Sequence, residues 1–543
     1  MLQKKWFLYL TEFFAGMSLM AVEIGASRLL APYFSSSQIV WTIIIGTIMI
    51  AMALGNLWGG KAADKNPDPT RLYIRLAIAA LWIGLIPLVG KFVIAGIALV
   101  MALIVTQNYL VWAAFVSCAV LFVFPLMLLG TVTPSLVRYT MNNIDNAGRT
   151  VGIMEALNTI GSIIGTFTPT FITIPTIGTS LTFVVFASIL LMLSLLYFIS
   201  ALKENHDKKK EHLKNVIKAA VCFVLIIASG FIAPLTGFAF WDSSLREDES
   251  IYNYLQVSET DTHVYLSTNV LIGIQSLCRK DGQMDRGFYY GYALVGPLMT
   301  DAVRRGEHLD VLILGTGSGT YATHCVSYFD DVTVEGVEID QKIIDLAYSD
   351  FMMPEEVISH TEDGRAFIDR TDKKYDLILV DAYQDITIPF HMSSVEFFTS
   401  VKNHLTEGGV MVVNMNMQSD KPGSINQYLT ETITHVFADG DAFSYQCPNG
   451  NRLLFVADHD RMKDNLVQSR SQFWNKPFYD YTFSIYNNAQ PATKGDHILT
   501  DDKAPVELLG MRVIDDYIFE EINYYKQLFK EEGFKSLFEQ ITK

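Results

Sequence analysis

Seven apolar stretches, each long enough to cross a lipid bilayer, lie within the first 240 residues of this 543-residue chain. A membrane-spanning helix needs roughly 20 consecutive, mostly apolar residues. The stretches that meet this requirement are about 7–30, 38–60, 72–90, 109–130, 151–173, 180–202 and 216–238. Residues 91–106 are apolar but short, which leaves open an eighth span, a re-entrant segment or an interfacial helix. The sequence therefore predicts a transmembrane domain of seven or eight helices over residues 1–240.

The charged residues divide the chain at the same place. Up to Phe240 there are 16 lysines and arginines against 9 acidic residues, whereas the remainder has 25 against 48. A basic stripe with interleaved aromatic residues is absent from the sequence, which argues against a nucleic-acid partner. The five cysteines lack the spacing of a zinc site or a disulfide framework, so no metal cofactor is predicted.

Basic residues favour the cytoplasmic ends of spans. They occur at Lys4 and Lys5, between residues 61 and 71, at Arg138 and Arg149, and between residues 208 and 210. Seven spans place all four groups inside but put the acidic half of the chain outside. Eight spans keep the acidic half inside but expose the last group. The charge pattern leaves these two arrangements open.

Ionisable residues within the spans permit two interpretations. Glu23, Arg28 and Glu155 either form structural contacts near span ends or belong to a transport pathway, because lipid exposure of such groups is costly. Gly161 and Gly165 have the small-xxx-small spacing that is typical of close helix packing.

Two stretches of the helical half resemble a transporter family. "GNLWGGKAADK" (55–65) is similar to the signature between the second and third helices of major facilitator transporters. "NAGRTVGIMEALNTIGSIIG" (146–165) is similar to the entry of their fifth helix. The resemblance covers about half of such a transporter, so it does not support alternating access between two halves.

After Trp241 the pattern changes to alternating strands and helices. Residues 254–258, 263–267 and 270–275 are predicted to form a small antiparallel sheet. Apolar runs at 309–314, 332–340, 375–383 and 408–416 alternate with helical segments, which indicates a doubly wound parallel sheet. The predicted fold class is a transmembrane bundle (1–240), then a small β-rich subdomain (241–300), then an α/β Rossmann-like domain of the S-adenosylmethionine-dependent methyltransferase type (301–543).

A glycine-rich loop follows the first of these strands. Gly315, Gly317 and Gly319 allow a tight turn and a close approach of the backbone to a ligand at the helix start. Glu338 ends the second strand, where it can hold two ribose hydroxyls. These features fit any nucleoside cofactor, including NAD, and a plain turn before a buried helix is also possible. Asp363, after the third strand, can accept from an adenine amino group and favours an S-adenosylmethionine-type ligand.

Residues 250–510 resemble the spermidine synthase (aminopropyltransferase) family. The segments that carry the resemblance are "VEID" (337–340), "EDGRAF" (362–367), "YDLILVDAY" (375–383), "IPFHMSSVEFF" (388–398) and "LTDDKAPVE" (499–507), in family order. With its helices, the whole chain resembles membrane-fused spermidine synthase-like proteins. The resemblance implies that Asp381 is the general base toward the attacking amine, Glu338 the ribose ligand and Asp363 the adenine ligand. A hydrogen-bonded or helix-capping aspartate after the strand is the structural alternative for Asp381.

The resemblance implies further contacts. Tyr383 is expected to be catalytic together with Asp381, and Ser318 and Gly364 are expected in the donor site. The residues expected to contact the substrate are Gln275, Tyr252, Tyr290, Gln384, Asp385 and His391. The chain also departs from the family pattern. Ser318 replaces an aspartate of the glycine-rich loop, and Gln384 replaces a second aspartate three residues after the catalytic one. A neutral Ser318 leaves open whether the donor is decarboxylated or intact S-adenosylmethionine.

The sequence thus predicts a membrane-anchored aminopropyltransferase. It would transfer an aminopropyl group from decarboxylated S-adenosylmethionine to an amine such as putrescine. Two alternatives remain: an enzyme that uses intact S-adenosylmethionine for methyl transfer, 3-amino-3-carboxypropyl transfer or cleavage, and a polyamine transporter or sensor without turnover. The expected partners are a small-molecule amine, the lipid bilayer and a second copy in a homodimer. The expected location is a bacterial-type inner (plasma) membrane, with the catalytic domain in the cytoplasm because the donor is made there.

Overall fold

Long helices form the first half of the chain in the computed structural model. The structure describes residues 5–35, 37–105, 108–141, 147–204, 209–241, 245–270, 273–382, 389–415, 419, 421–448, 450–511, 513, 524, 527 and 531. The helices are α1 (Lys5–Phe34), α2 (Gln38–Lys65), α3 (Pro69–Ile104), α4 (Tyr109–Cys118), α5 (Phe124–Gly130), α6 (Val132–Thr140), α7 (Ala147–Thr168), α8 (Ile174–Glu204) and α9 (Lys209–Ile232). Short π-helical segments, Ala119–Val123 and Pro169–Thr173, join α4 to α5 and α7 to α8.

Six segments of the described chain are long and apolar enough to cross a membrane. One of them, Ala147–Lys203, has 57 residues and turns back on itself. Gly178 has φ 78° and ψ 171°, outside the helical region. The Thr182 and Thr173 hydroxyls are 2.9 Å apart across this turn, whereas nine residues of straight helix rise about 13 Å. The predicted stretches 151–173 and 180–202 correspond to its two arms, and residues 91–104 continue α3.

Glycines bring α7 against α1, as the small-residue spacing predicts. A Cβ atom added at Gly161 would lie 2.0 Å from the Phe13 carbonyl oxygen, and one at Gly165 would lie 2.0 Å from the Met17 carbonyl oxygen. Neither glycine can take a side chain unless the two helices separate. The packing interpretation of this spacing is therefore confirmed.

Replacing Gly161 with valine should destabilise the bundle, because overpacking a close contact typically costs about 1–3 kcal/mol and here the obstacle is backbone. The expected result is a lower thermal unfolding midpoint of the detergent-solubilised protein. Gly152→Ala is the matched control, since nothing lies within 4 Å of a Cβ atom at that position of the same helix. Equal midpoints for the two variants would contradict the close contact.

A four-stranded antiparallel sheet follows the bundle. Its strands are β1 (Arg246–Glu249), β2 (Tyr254–Glu259), β3 (His263–Ser267) and β4 (Ser276–Arg279), in that order. The predictions for β2 and β3 are confirmed. The strand predicted at 270–275 is wrong for residues 270 and 273–275, the part of it that the structure describes, since none of them is in a strand. The Val270 N–H donates to the Pro32 carbonyl of α1 at 2.9 Å, and Gly273 has φ 85°. The chain contacts the bundle here and pairs as a strand only from Ser276.

The second sheet has eight strands. They are β5 (Leu309–Leu314), β6 (Val332–Glu338), β7 (Ile358–Thr361), β8 (Tyr375–Val380), β9 (Leu405–Met415), β10 (Ala442–Gln446), β11 (Arg452–Val456) and β12 (Gln490–Pro491). The accompanying helices are α10 (Tyr289–Ala293), α11 (Asp301–Arg305), α12 (Thr320–Tyr328), α13 (Gln341–Ser349), α14 (Gly364–Arg370), α15 (Val395–Asn403), α16 (Ile425–Val436), α17 (Met462–Ser469) and α18 (Tyr479–Asn488).

The order of this sheet is β12-β10-β11-β9-β8-β5-β6-β7. Strands β5 to β9 are parallel, and β10 to β12 add an antiparallel edge. Neighbouring residues of β5, such as Ile313 and Leu314, belong to different core clusters on the two faces. Because both faces are buried, these strands are continuous apolar runs. The predicted fold class is confirmed; the antiparallel edge was not predicted.

The α/β domain contacts one end of the helical bundle. The Gln38 N–H at the start of α2 donates to Glu507 of the α/β domain at 2.7 Å. Tyr33 of α1 donates its hydroxyl at 2.8 Å to the carbonyl of Phe238, in the segment that leads from α9 to the α/β domain. At the turn after Gly178, the Thr179 N–H and hydroxyl both donate to Glu249, at 3.1 and 2.6 Å. We call this end of the bundle the domain-side end.

Candidate active site

The carboxyl ends of β5, β6 and β8 meet at the glycine-rich loop. The Gly315 N–H donates to the Val337 carbonyl at 2.9 Å, and Gly315, Gly317 and Gly319 all have positive φ. A Cβ atom at Gly315 would lie 2.5 Å from the Asp381 carbonyl oxygen, so only glycine fits between the strands here. The loop leads directly into α12, whose N-terminal end is a favourable position for a ligand in a sheet of this kind.

Glu338 lies at the end of β6 and faces this loop. Its two carboxylate oxygens accept from the Gly317 N–H at 3.0 Å and from the Asp340 N–H at 3.2 Å. Burial raises the pKa of Glu338 to about 7, against the opposing effect of these hydrogen bonds. Each carboxylate oxygen has a further lone pair, so the residue can still accept from two ribose hydroxyls. The residue that was predicted to hold a ribose is therefore placed to do so.

Asp340 supports Glu338 and connects it to the small sheet. One of its oxygens accepts from the Ser250 hydroxyl at 2.5 Å and from the Asn253 side-chain amide at 3.0 Å. Its other oxygen caps α13 by accepting from the Lys342 N–H at 3.1 Å. Ser250 directly follows Glu249, which holds Thr179 of the bundle. A continuous series of contacts therefore runs from the domain-side end to the predicted ribose site.

Asp363 is the N-cap residue of α14, beside the end of β7. One oxygen caps the helix by accepting from the Ala366 N–H at 2.9 Å, and the other lies 3.0 Å from Nε2 of His391. The His391 contact lowers the pKa of Asp363. His391, predicted as a substrate contact, thus lies against the predicted adenine ligand. Gly364, the residue after Asp363, is the first of α14.

Asp381 follows β8 and is held by two side chains from other elements. Tyr289 of α10 donates its hydroxyl to one oxygen, and the Asn414 side-chain amide of β9 donates to the other at 2.7 Å. Asn414 in turn accepts from the Asn451 side-chain amide at 2.9 Å. Burial raises the pKa of Asp381 to about 7, although both hydrogen bonds lower it. A carboxylate with this pKa can take up a proton near neutral pH.

Two adjacent tyrosines with tilted rings lie near Asp381. The ring centroids of Tyr289 and Tyr290 are 4.1 Å apart, and both side chains are buried. Burial, with the nearby Asp381 carboxylate, raises the pKa of Tyr290 to about 12. Both phenols are therefore neutral at physiological pH. Tyr290 was predicted as a substrate contact, whereas Tyr289, which reaches the carboxylate, was not.

The remaining predicted residues are placed as follows. Ser318 is fully buried, with its hydroxyl 3.1 Å from that of Thr320. Gln275 precedes Ser276, whose hydroxyl accepts from the Ser318 N–H at 3.4 Å. Tyr252 is 43% exposed, and its N–H donates to the Ser250 hydroxyl, so it lies on the Glu338 side of the site. Tyr383, Gln384 and Asp385 fall outside the residues that the structure describes.

The sequence did not lead to a prediction for several side chains that contact the site residues. Asn414 is polar within the apolar run "VMVVNM" of β9, and that interruption is the signal by which it could have been found. Tyr289 directly precedes the predicted substrate contact Tyr290 in the aromatic segment "FYYGYA" (288–293). Ser250 and Asn253 carry no local signal, because only the docking of the small sheet brings them to Asp340.

Two of the family-like segments contact each other. Arg365 of "EDGRAF" forms a bidentate pair with Asp501 of "LTDDKAPVE", at 2.7 and 2.9 Å. Ser394, from "IPFHMSSVEFF", donates its hydroxyl to the same Asp501 at 2.5 Å. These segments lie far apart in the chain, and their side chains stabilise one corner of the site, next to Asp363.

Comparisons with known proteins show which family the chain is similar to. The spermine/spermidine synthase domain family matches residues 296–449. A probable polyamine aminopropyl transferase of Bifidobacterium longum is 44% identical over 360 residues, which cover 63% of this chain and 77% of the relative. A polyamine aminopropyltransferase of Vibrio vulnificus is 25% identical over 293 residues, which cover 51% of this chain and 94% of the relative.

Among solved structures, a probable spermidine synthase from Corynebacterium glutamicum is 16% identical, with a TM-score of 0.36, and the match covers 46% of this chain and 96% of that one. The family assignment depends on the sequence relatives. Because the Bifidobacterium relative is 44% identical over 77% of its own length, the chain belongs to the polyamine aminopropyltransferase family and is an aminopropyltransferase.

Proposed function

We propose that this chain transfers an aminopropyl group from decarboxylated S-adenosylmethionine to an amine such as putrescine and releases methylthioadenosine. The observation that carries the proposal is the half-buried Asp381 carboxylate beside the glycine-rich loop, oriented by Tyr289 and Asn414. Its raised pKa of about 7 suits a base that works near neutral pH.

The residues divide the chemistry between them. The amine nitrogen attacks the carbon next to the sulfonium sulfur, so a C–N bond forms while the C–S bond breaks and its electron pair stays on sulfur. The new secondary ammonium loses a proton, and Asp381 is the acceptor. Tyr289 and Asn414 fix the direction of the carboxylate toward the attacking nitrogen, since proton transfer depends on such alignment. Tyr383, Gln384 and Asp385 are proposed to complete the acceptor pocket.

The donor is proposed to bind between the glycine-rich loop and β6. Glu338 would accept from the ribose hydroxyls, Asp363 from the adenine amino group, and Gly315, Gly317 and Gly319 would allow close approach of the backbone. Ser318 is neutral and buried, which supports a second candidate: intact S-adenosylmethionine as the donor. No metal takes part in this proposal.

Mass spectrometry tests the proposal directly. The detergent-purified protein is incubated with either decarboxylated or intact S-adenosylmethionine, with and without putrescine or spermidine. Methylthioadenosine together with an aminopropylated amine is the expected result. Consumption of only the intact donor would favour the second candidate, in which intact S-adenosylmethionine is the donor. Binding of ligands without turnover would contradict transfer and favour a transporter or sensor.

We further propose that the helices up to about residue 240 anchor the enzyme in a bacterial-type inner membrane. The bundle exposes large apolar side chains around its outside, among them Met49, Leu57, Phe171 and Phe231. An apolar surface of this extent is typical of a membrane-facing protein. Residues 241–300 would then connect the anchor to the catalytic domain that begins near residue 301. A homodimer, as the family resemblance suggests, is testable by light scattering in detergent.

Replacing Ser250 with alanine should weaken donor binding without changing the chemical step. The substitution removes the 2.5 Å hydrogen bond to Asp340, which supports Glu338. Because a net hydrogen bond is worth about 1 kcal/mol, we expect roughly a fivefold higher KM for the donor and an unchanged kcat. Steady-state kinetics at saturating amine measures both. Ser327→Ala, on the exposed face of α12, is the control; a fall in kcat instead would contradict this role.

A further inference from the structure

The two ends of the helical bundle differ in charge. The helices run alternately between the domain-side end and the opposite end, which we call the far end. The far end contains the connection from α2 to α3, the connection from α6 to α7, and the end of α8 with the start of α9. Arg138 of α6 pairs with Asp64 of α2 at 3.3 Å, and the Thr70 and Tyr197 hydroxyls of α3 and α8 are 3.0 Å apart. These contacts confirm that the connections lie together.

Nearly all basic residues of the bundle lie at the far end. The structure describes fourteen lysines and arginines in the bundle, and twelve of them are Lys5 or fall within residues 61–75, 138–149 and 203–218. The other two, Arg28 and Lys91, lie toward the domain-side end. Connections 35–37, 105–108 and 233–245 at that end contain neither lysine nor arginine.

The two exceptions serve structural contacts. Arg28 donates to the Ile251 carbonyl of the catalytic half. Lys91 donates to the Ala233 and Gly237 carbonyls, at 3.2 and 2.7 Å, where α9 ends. Arg28 therefore fixes the catalytic half to the bundle, and Lys91 fixes the segment that leads from α9 to the catalytic half. Neither is a free charge in a connecting loop, where positive charge sets the orientation of a membrane protein.

The fold-back at Gly178 determines which end bears the domain. With two arms in the Ala147–Lys203 segment, seven helical passes separate Lys5 from Trp241. An odd number of passes places the start of α1 and the catalytic domain at opposite ends, as the contacts of Gln38 with Glu507 and of Thr179 with Glu249 also require. Short basic connections remain on the cytoplasmic side, while long domains cross the membrane largely irrespective of their charge.

We infer that the far end faces the cytoplasm and that the catalytic site lies on the outer side of the membrane. This inference rests on the membrane anchoring proposed above, and it selects the seven-span arrangement that the sequence left open. It replaces the cytoplasmic location expected from donor supply. The donor and the amine are both cationic, and an isolated charge is costly to move into an apolar medium. A transport reaction must therefore deliver them to this face.

Cysteine labelling tests the inference. Four of the five native cysteines are buried, and Cys222 is partly exposed. A Cys222→Ser variant therefore has little background labelling and serves as the parent protein. Ser471→Cys places a thiol on the exposed surface of the catalytic domain. Gly148→Cys places one at the far end, where nothing lies within 4 Å of the new Cβ atom. Neither change alters the charge balance of the bundle.

The labelled sample is intact spheroplasts treated with a membrane-impermeant maleimide. We expect Ser471→Cys to react in intact spheroplasts and Gly148→Cys to react only after permeabilisation. The reverse pattern, or equal labelling of both sites in intact spheroplasts, would overturn the inference. Recovery of the protein in the salt-washed membrane fraction tests the anchoring separately, and a soluble protein would overturn both.

Activity gives an independent readout. Spheroplasts supplied externally with decarboxylated S-adenosylmethionine and putrescine should form product at the same rate before and after permeabilisation. A rate that rises many-fold on permeabilisation would place the site inside and contradict the inference. Absence of product in both samples would count against the proposed function, while the labelling would still decide the orientation.

Discussion

Replacing Asp381 with asparagine should lower kcat by roughly 10²- to 10⁴-fold, the usual contribution of a positioned general base. The substitution keeps the shape of the side chain but removes its ability to accept a proton. Quantification of methylthioadenosine at saturating donor and amine measures the effect. The variant should also unfold at a higher temperature than the wild type at pH 8, which shows that the loss of activity is not a loss of fold.

The direction of that stability change follows from the pKa. Folding raises the pKa of Asp381 from 3.8 to about 7. The group therefore favours the folded state while it is protonated, at low pH, and this contribution is lost as the pH rises through about 7. At pH 8 a negative charge that is partly removed from water opposes folding, and an asparagine at that position does not carry this charge.

The wild-type kcat should rise with pH and reach half of its plateau value at or below about pH 7. The ionised Asp381 is the active form, and a bound sulfonium cation favours that form further. An ordinary amine loses its proton near pH 10. The ionisation of the amine substrate can therefore be distinguished from the ionisation of Asp381 in the pH profile. Asn414→Leu removes a hydrogen bond that lowers the pKa of Asp381, and it should move the rise to higher pH. A kcat that is independent of pH, or an active Asp381→Asn variant, would exclude Asp381 as the base.

Replacing Glu338 with glutamine should raise the KM for the donor by roughly 10- to 100-fold and change kcat little. Hydrogen bonds to a charged group are worth about 1.5–3 kcal/mol, and the ribose would lose a charged acceptor. Glutamine also presents an amide N–H₂ group toward the N–H donors of Gly317 or Asp340. Steady-state kinetics with varied donor provides the measurement.

The pH dependence of donor binding gives a second readout at the same residue. Because burial raises the pKa of Glu338 to about 7, wild-type affinity for the donor should improve as the pH rises through that value, and the variant should lose this dependence. Asp345→Asn, an exposed residue on the adjacent helix α13, makes the same change in net charge and should leave KM unaltered. A large fall in kcat with an unchanged KM would assign Glu338 to the chemical step instead.

The sequence predicted the elements of the fold because they depend on local patterns. The β5 and β3 bounds agree with the predicted 309–314 and 263–267, since runs of apolar residues end there at turn residues. The position of Asp381 at a strand end beside the glycine-rich loop was also predictable, because parallel strands bring their carboxyl ends to one edge. The strand prediction for residues 270–275 was wrong at Val270, because its N–H donates to Pro32 of the bundle and not to a neighbouring strand.

What the sequence by itself determined is the apolar bundle, the doubly wound sheet and the carboxylates Glu338, Asp363 and Asp381, because periodicity and motif order are local properties of the chain. The tertiary structure alone decided how those carboxylates are held. Tyr289, Asn414 and Ser250 come from elements far from them in sequence, and such contacts depend on how sheets, helices and bundle pack. Packing also decided which end of the bundle carries the catalytic domain, because a single turn at Gly178 sets the direction of every helix after it.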